Sequence, residues 1–344
     1  MELGITSFAE TIPPLGENSV VGHGERLRQI IEEVEAAELA GLDVYGLGEH
    51  HRPDFASSAP AITLAAAAGR TSRIRLFPAV SILSTDDPVR VYQQYATLDL
   101  VSSGRAELLV GRGSFIESFP LFGFNLEDYD DLFSEKLDLL LQIRDSDGAI
   151  NWSGRFRPPI QGQAIYPRTE RRLPVRVAVG GSPQSIVRAA SRGLPVALAI
   201  IGGPPQRFAT FADLHRKTLR ESGYDPEEAP LSVHAHGFIA DSNEQAAEEY
   251  YASYAAMMTR IGRERGWGPM TKQQFDAMRG EDGSLVLGDV ETVAAKILRW
   301  QEMLGINRFE LHVSVGTLPH DQVLRSIELL GTKVAPIVNE DAGG

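Results

Sequence analysis

Short apolar runs alternate with segments of helical period from one end of the chain to the other, and the alternation repeats eight times. Leu3 to Phe8, Val44 to Leu47, Ile74 to Ile82, Ala106 to Val110, Val175 to Val179, Val196 to Ile201, Leu231 to Ile239 and Phe309 to Val315 read as strands. After the first, Leu27, Ile30, Ile31, Val34 and Ala37 recur at helical spacing up to Gly41. Pro60 opens an alanine-rich helix to Gly69, and Asp87-Pro88 is a cap and first-turn proline for a helix to Val101. Further helices are expected at Tyr129–Arg144, Pro183–Arg192, Pro205–Glu221, Asn243 to about Arg263, Asp289–Leu304 and Gln322–Val338. A strand followed by a helix, eight times over, predicts an α/β fold of the (β/α)8 TIM-barrel kind spanning 1–344 as one domain. Two insertions interrupt it: Gly148 to Pro174 after helix 4, expected to be irregular, and Gly262 to Gly288 after strand 7. A doubly wound sheet would want a glycine fingerprint after strand one, where Ala9, Glu10, Thr11 and Ile12 stand instead.

Composition narrows the function classes. Hydrophobic residues make up 43 %, enough for a sizeable core, yet no stretch approaches the roughly 20 apolar residues of a membrane span. A net charge of −13 argues against a general nucleic-acid binder. No cysteine is present, which excludes disulfides, thiolate metal sites and a cysteine nucleophile. The N-terminus starts on a strand with no basic region or cleavage site, so no signal peptide is expected, and a soluble cytoplasmic protein is the default.

In a parallel barrel, chemistry gathers at the C-terminal ends of the strands. Strand two ends in Gly48, Glu49, His50, His51 and Arg52; strand three offers the small residues Ala79, Val80 and Ser81; strand four ends in Gly111-Arg112-Gly113. Strand five runs from Val179 into Gly180, Gly181, Ser182, Pro183, Gln184 and Ser185. Its two glycines let backbone approach a ligand, and the free N–H groups of Gln184 and Ser185 at a helix start make an anion site that Arg112 can join. The plain alternative is a tight turn at Gly180-Gly181 and an Arg112 paired with a surface carboxylate. His234 and His236 form an H-x-H pair on strand seven, but no aspartate completes a metal cage and strand eight adds only His312, so a metal hydrolase ranks below phosphate binding. Met257, Met258, Met270 and Met278 line a mobile lid or simply fill core, the second being the more ordinary account.

With G-E-H-H at Gly48–His51, D-P-V-R at Asp87–Arg90, S-G-R-A-E-L-L-V-G-R-G at Ser103–Gly113 and V-G-G-S-P-Q-S at Val179–Ser185, the chain resembles the bacterial luciferase-like flavin-dependent monooxygenases over nearly its whole length. The resemblance implies a barrel, usually a homodimer, that binds reduced FMN at its C-terminal rim and uses dioxygen to oxygenate a small organic substrate, with a separate reductase as a possible partner. By position, His50 matches the family's active-site histidine, for which a near-neutral pKa is expected. Arg112 and Gly180–Ser185 match the flavin-phosphate site, Ala79-Val80 the place of a non-prolyl cis peptide, and Gly262–Gly288 a mobile active-site loop. The luciferases' reactive cysteine has no counterpart, which bears on light emission and not on flavin chemistry. A deazaflavin-dependent hydride-transfer enzyme and a non-catalytic flavin-binding protein are the alternatives on the same rim.

Overall fold

The computed structural model describes residues 1–17 and 21–341. Eight parallel strands close into a barrel: β1 (Glu2–Ser7), β2 (Val44–Leu47), β3 (Arg75–Ile82), β4 (Leu108–Gly111), β5 (Val175–Val179), β6 (Val196–Ala199), β7 (Leu231–Ile239) and β8 (Arg308–Ser314). Closure comes from β1, which pairs with β2 on one side and with β8 on the other, Thr6 lying opposite both Gly46 and His312. The expected α/β barrel is therefore what the chain forms.

Alternation along each strand sorts side chains between two cores. Leu3, Ile5, Tyr45, Leu76, Leu108 and Val177 face the helix ring, where burial of each large apolar side chain contributes roughly 1.5–3 kcal/mol. Val44, Phe77, Leu109 and Ala197 fill the barrel interior with Ala79, Val80 and Ala178. Below them sits a ring of charge: Glu107 is bound by Arg308, Arg75 and Arg176, and Arg176 also faces Glu310.

Helices α1 (His23–Leu39), α2 (Pro60–Ala68), α3 (Pro88–Val101), α4 (Tyr129–Asp145), α5 (Pro183–Ala190), α6 (Ala209–Glu221) and α7 (Asn243–Glu264) follow β1 to β7 in turn. Local chemistry sets their starts: the Asp87 side chain accepts from Val89 N–H, and Ser242 accepts from Gln245 N–H. Among the described residues, no helix is long and apolar enough to cross a membrane.

Both insertions are more ordered than their composition implies. Ala149–Trp152 and Ile160–Ala164 pair antiparallel, correcting the irregular expectation for Gly148–Pro174; Ile150 and Ile160 are buried and anchor the hairpin. The Gly262–Gly288 insertion carries α8 (Lys272–Arg279), which starts in a capping box between Thr271 and Gln274 and buries Phe275. It ends in Val286–Gly288, parallel to the end of β7. Met257 lies in the core, and Met258, Met270 and Met278 pack against it. Phe275 and Val286–Gly288 pack into the core, while residues 263–269 are exposed. The closing helix is likewise interrupted: α-helix over His320–Leu329, a wider turn at Leu330–Val334, and α-helix again over Ala335–Asp341.

Where Val286 meets β7, Gly237 leaves no room for a side chain, since a Cβ would overlap the Val286 carbonyl and lie 2.5 Å from Leu311 Cδ1. Gly237→Ala is expected to lower stability by roughly 1–3 kcal/mol, read as a lower urea midpoint. An unchanged midpoint would mean that the added strand is loosely attached.

Candidate active site

The end of β2 is fixed before it reaches its functional side chains. Gly48 N–H donates to Ser7 O (2.9 Å), His50 N–H to Ser57 O (2.8 Å), and Ser57 Oγ back to Gly48 O (2.8 Å). Glu49 then bridges two strands, accepting from Ile82 N–H on β3 (3.1 Å) while its other oxygen meets His51 Nε2 (3.0 Å). His50 points the other way, into an aromatic collar of Phe8, Phe55 and Phe115 with ring centroids 4.9, 4.3 and 5.3 Å away. Its Nε2 is buried and has no partner among the described residues.

Burial, and then electrostatic repulsion from His312, His51 and Arg52, push the His50 imidazole down to about 3. The near-neutral pKa expected from sequence is thereby corrected: the ring is neutral across the physiological range. His234 and His236 are also depressed, by burial first and His312 second. All three recover ordinary values on unfolding, so the unfolded chain binds more protons below about pH 6.5, and stability is lost as pH falls through that region. Urea midpoints are expected to drop between pH 7 and pH 5, above the range in which free carboxylates titrate. A flat profile would contradict the burial of these rings.

The ends of β3 and β4, next to β2, are made of small residues. The Ala79–Val80 peptide is cis, Ser81 is buried behind it, and Gly111 on β4 leaves space for Val80, whose Cγ2 would lie 2.7 Å from a Cβ at that position. Beside them, Val179 ends β5 in the core, and Gly180 and Gly181 follow with open space around both. Gly181 has φ +131°, which a side chain would strain. Ser182 does not cap α5; its hydroxyl donates to Gln184 Oε1 instead (3.0 Å). Ser185 N–H turns back to Ser182 O (3.1 Å), which corrects its expected role as a free donor, while its buried hydroxyl is left without a partner. Gln184 remains in the first turn, where backbone N–H groups point out of the helix.

Arg112 donates to Asp130 Oδ1 (2.8 Å) and lies over the Tyr129 ring at 4.9 Å. The partner is an exposed carboxylate, as the plain alternative required, but it is shared: Arg188 Nη2 donates to the same oxygen at 3.0 Å, and Arg188 Nη1 is buried without a partner among the described residues. Two guanidiniums therefore meet at one exposed carboxylate, and one of them, Arg188, lies on the helix that follows Gly180-Gly181. Arg188 was not singled out from sequence. The available signal is its spacing, one turn beyond Gln184, which carries its side chain back toward the helix start.

Two further groups complete the rim. Arg52 lies 4.5 Å from the Phe115 ring centroid and pairs with Glu117 (2.5 Å) and with Glu264 at the end of α7, while Arg260 pairs with Asp54. These bonds hold Phe115 against His50. On β7 and β8, His234, His236 and His312 form a cluster of imidazoles next to Phe8. Among the described residues, no group of three or more His, Asp or Glu side chains is arranged to hold a metal ion.

A family model described as luciferase-like monooxygenase matches residues 1–307. The 4-hydroxyprotoasukamycin monooxygenase of Streptomyces nodosus subsp. asukaensis is 26 % identical, covering 98 % of this chain and 93 % of the relative. The oxygenating constituent of 3,6-diketocamphane monooxygenase from the CAM plasmid of Pseudomonas putida, solved in complex with FMN, superposes with a TM-score of 0.76 at 19 % identity, covering 98 % of both chains. An F420-dependent secondary alcohol dehydrogenase superposes with a TM-score of 0.75 at 19 % identity, again over 98 % of both chains.

Proposed function

We propose, from the premise that this chain belongs to the luciferase-like monooxygenase family, that it uses reduced FMN and dioxygen to oxygenate a small organic substrate. One observation supports the reading: at the C-terminal edge of one barrel, two arginines share a single exposed carboxylate near the open Gly180-Gly181 turn, and His50 Nε2 is buried without a partner among the described residues. The residues fit a flavin phosphate. The buried Ser185 hydroxyl and Arg188 Nη1 lack partners among the described residues, and Gly180 and Gly181 leave open the space a phosphate needs.

When bound, reduced flavin supplies the two-electron chemistry toward dioxygen, one oxygen atom entering the substrate and the other leaving as water. The chain's own part is position and exclusion. Arg112 and Arg188, which now share Asp130, would hold the phosphate oxygens, and Gln184 N–H would donate to the same group. Ala79, Val80 and Gly111 let a flat ring lie close to backbone, with Ser81 behind it. His50, neutral, carries one N–H and one bare nitrogen; with the cofactor bound it would offer a hydrogen bond at Nε2 and not an acidic proton. Phe8, Phe55 and Phe115 keep water from that hydrogen bond. A homodimer, and a separate reductase that delivers the reduced cofactor, belong to the same proposal. A deazaflavin-dependent hydride transfer is the second reading, favoured by the barrel it shares with the F420-dependent dehydrogenase.

The phosphate assignment has its own test. Arg112→Gln is expected to weaken FMN binding about tenfold, the loss of one charge-assisted hydrogen bond, while riboflavin, which has no phosphate, keeps its affinity within about twofold. Titration of flavin fluorescence measures both. Equal losses for the two flavins would move the phosphate away from Arg112.

A further inference from the structure

The rim as described leaves three imidazoles without a role. In a closed ring of eight strands, β7 and β8 face β3 and β4, so His234, His236 and His312 stand across the barrel from the small residues Ala79, Val80 and Gly111. His312 is fully engaged: its Nε2–H donates to Glu10 Oε1 (2.8 Å), its Nδ1 lies 3.1 Å from Thr6 Oγ1, and Ser314 Oγ donates to the other Glu10 oxygen (3.3 Å). The two β7 histidines are not engaged. His234 Nε2 and His236 Nδ1 are buried, in residues only 8 % and 4 % exposed, and neither has a hydrogen-bond partner among the described residues. A buried polar nitrogen left unpaired is destabilising, so two on one wall indicate groups kept for a ligand.

The surroundings specify what that ligand carries. Both rings are held neutral, by burial and by electrostatic repulsion from His312. Glu10 is already bonded by His312 and Ser314, so it is not a free counter-charge for an ionised ligand. Phe8, whose ring is 4.2 Å from His312 and 5.7 Å from His234, and Tyr254, 5.9 Å from His236, border the wall with aromatic surface. We infer that His234 and His236 are the polar wall of the substrate compartment and take the hydroxyl or carbonyl oxygen of an uncharged, flat, mainly apolar substrate. This deepens the oxygenase reading and rests on it for the use of the rim.

Four probes of similar size test it: phenol and cyclohexanone against benzoate and butylammonium, titrated into wild-type protein without cofactor and again with FMN. Saturation-transfer NMR gives the affinities. Imidazole 15N shifts, assigned with His234→Gln and His236→Asn, show where each probe sits. Phenol and cyclohexanone are expected to bind and to shift both imidazoles, with the two ions at least tenfold weaker. His234→Leu and His236→Leu are each expected to weaken phenol about tenfold. His234→Gln and His236→Asn, which keep a polar atom near the Nε2 and Nδ1 positions, stay within about threefold, and FMN affinity is unchanged throughout. Benzoate binding as well as phenol, or neutral probes that leave both imidazoles unshifted, would overturn the inference, and both can be read on wild-type protein even if a leucine variant folds poorly. Loss of FMN binding with phenol binding intact would instead strike the flavin reading alone.

Discussion

Replacing His50 with alanine is expected to lower turnover by about 10²- to 10⁴-fold while FMN affinity changes by no more than about twofold. The split follows from the geometry. His50 Nε2 is buried in the Phe8–Phe55–Phe115 collar, away from the Arg112–Arg188 pair that would hold the phosphate. Its pKa of about 3 adds a second signature. A neutral imidazole that works by hydrogen bonding gives a rate with no His50 titration between pH 5 and 9, whereas an acid reservoir would give a descending limb near neutrality. His50→Gln, which restores an amide near the Nε2 position, is expected to recover part of the rate. Steady-state rates of the two variants and a flavin titration of each decide the matter. Full activity in His50→Ala would remove the residue from the chemistry.

The largest stability effect is expected far from the rim. Glu107 accepts from Arg308 Nη1 (2.6 Å) and Nη2 (3.0 Å) and from Arg75 (3.0 Å), and Arg176 lies 3.7 Å away, all inside the barrel. Burial pushes its carboxyl up, but the guanidiniums, Arg308 foremost, outweigh this and hold it at about 2. Glu107→Ala would strand buried arginines without a counter-charge, and the expected loss is roughly 3–5 kcal/mol. The pH signature has a definite sign. Because the folded carboxyl lies below its unfolded value of 4.5, its contribution is complete above about pH 4.5 and lost as pH falls toward 2. Urea unfolding of wild type and Glu107→Ala at pH 7 measures the effect, and a difference below about 1 kcal/mol would show that Arg308 and Arg75 simply turn to Glu2 and Glu310.

Much of this molecule was legible in the order of its residues, because strand and helix are set by local period. Val44–Leu47, Val175–Val179 and Leu231–Ile239 form strands with the bounds their apolar runs imply, and Pro88–Val101 forms its helix from an aspartate cap and a first-turn proline. The rim was legible in part. Knowing that strands end at one edge brings His50, Ala79-Val80, Arg112 and Gly180-Gly181 together. What escaped depends on packing between distant segments. The hairpin at Ala149–Ala164 is hidden by proline, glycine and arginine, and only its buried Ile150 and Ile160 betray it. Arg188 reaches Asp130 across 58 residues, and Glu10 reaches His312 across 302. The pKa of His50 was misjudged for the same reason, since the collar that buries it comes from three separate loops.

The central claim is that this rim holds reduced FMN for a reaction with dioxygen. The most direct measurement is an anaerobic fluorescence titration of the purified protein with reduced FMN and, in parallel, reduced deazaflavin, followed by admission of oxygen. Saturable binding of reduced FMN, weakened by Arg112→Gln, with reoxidation of the bound flavin once oxygen enters, is the predicted result. Binding of reduced deazaflavin alone, without reaction with oxygen, would contradict it and make the protein a hydride-transfer enzyme on the same barrel.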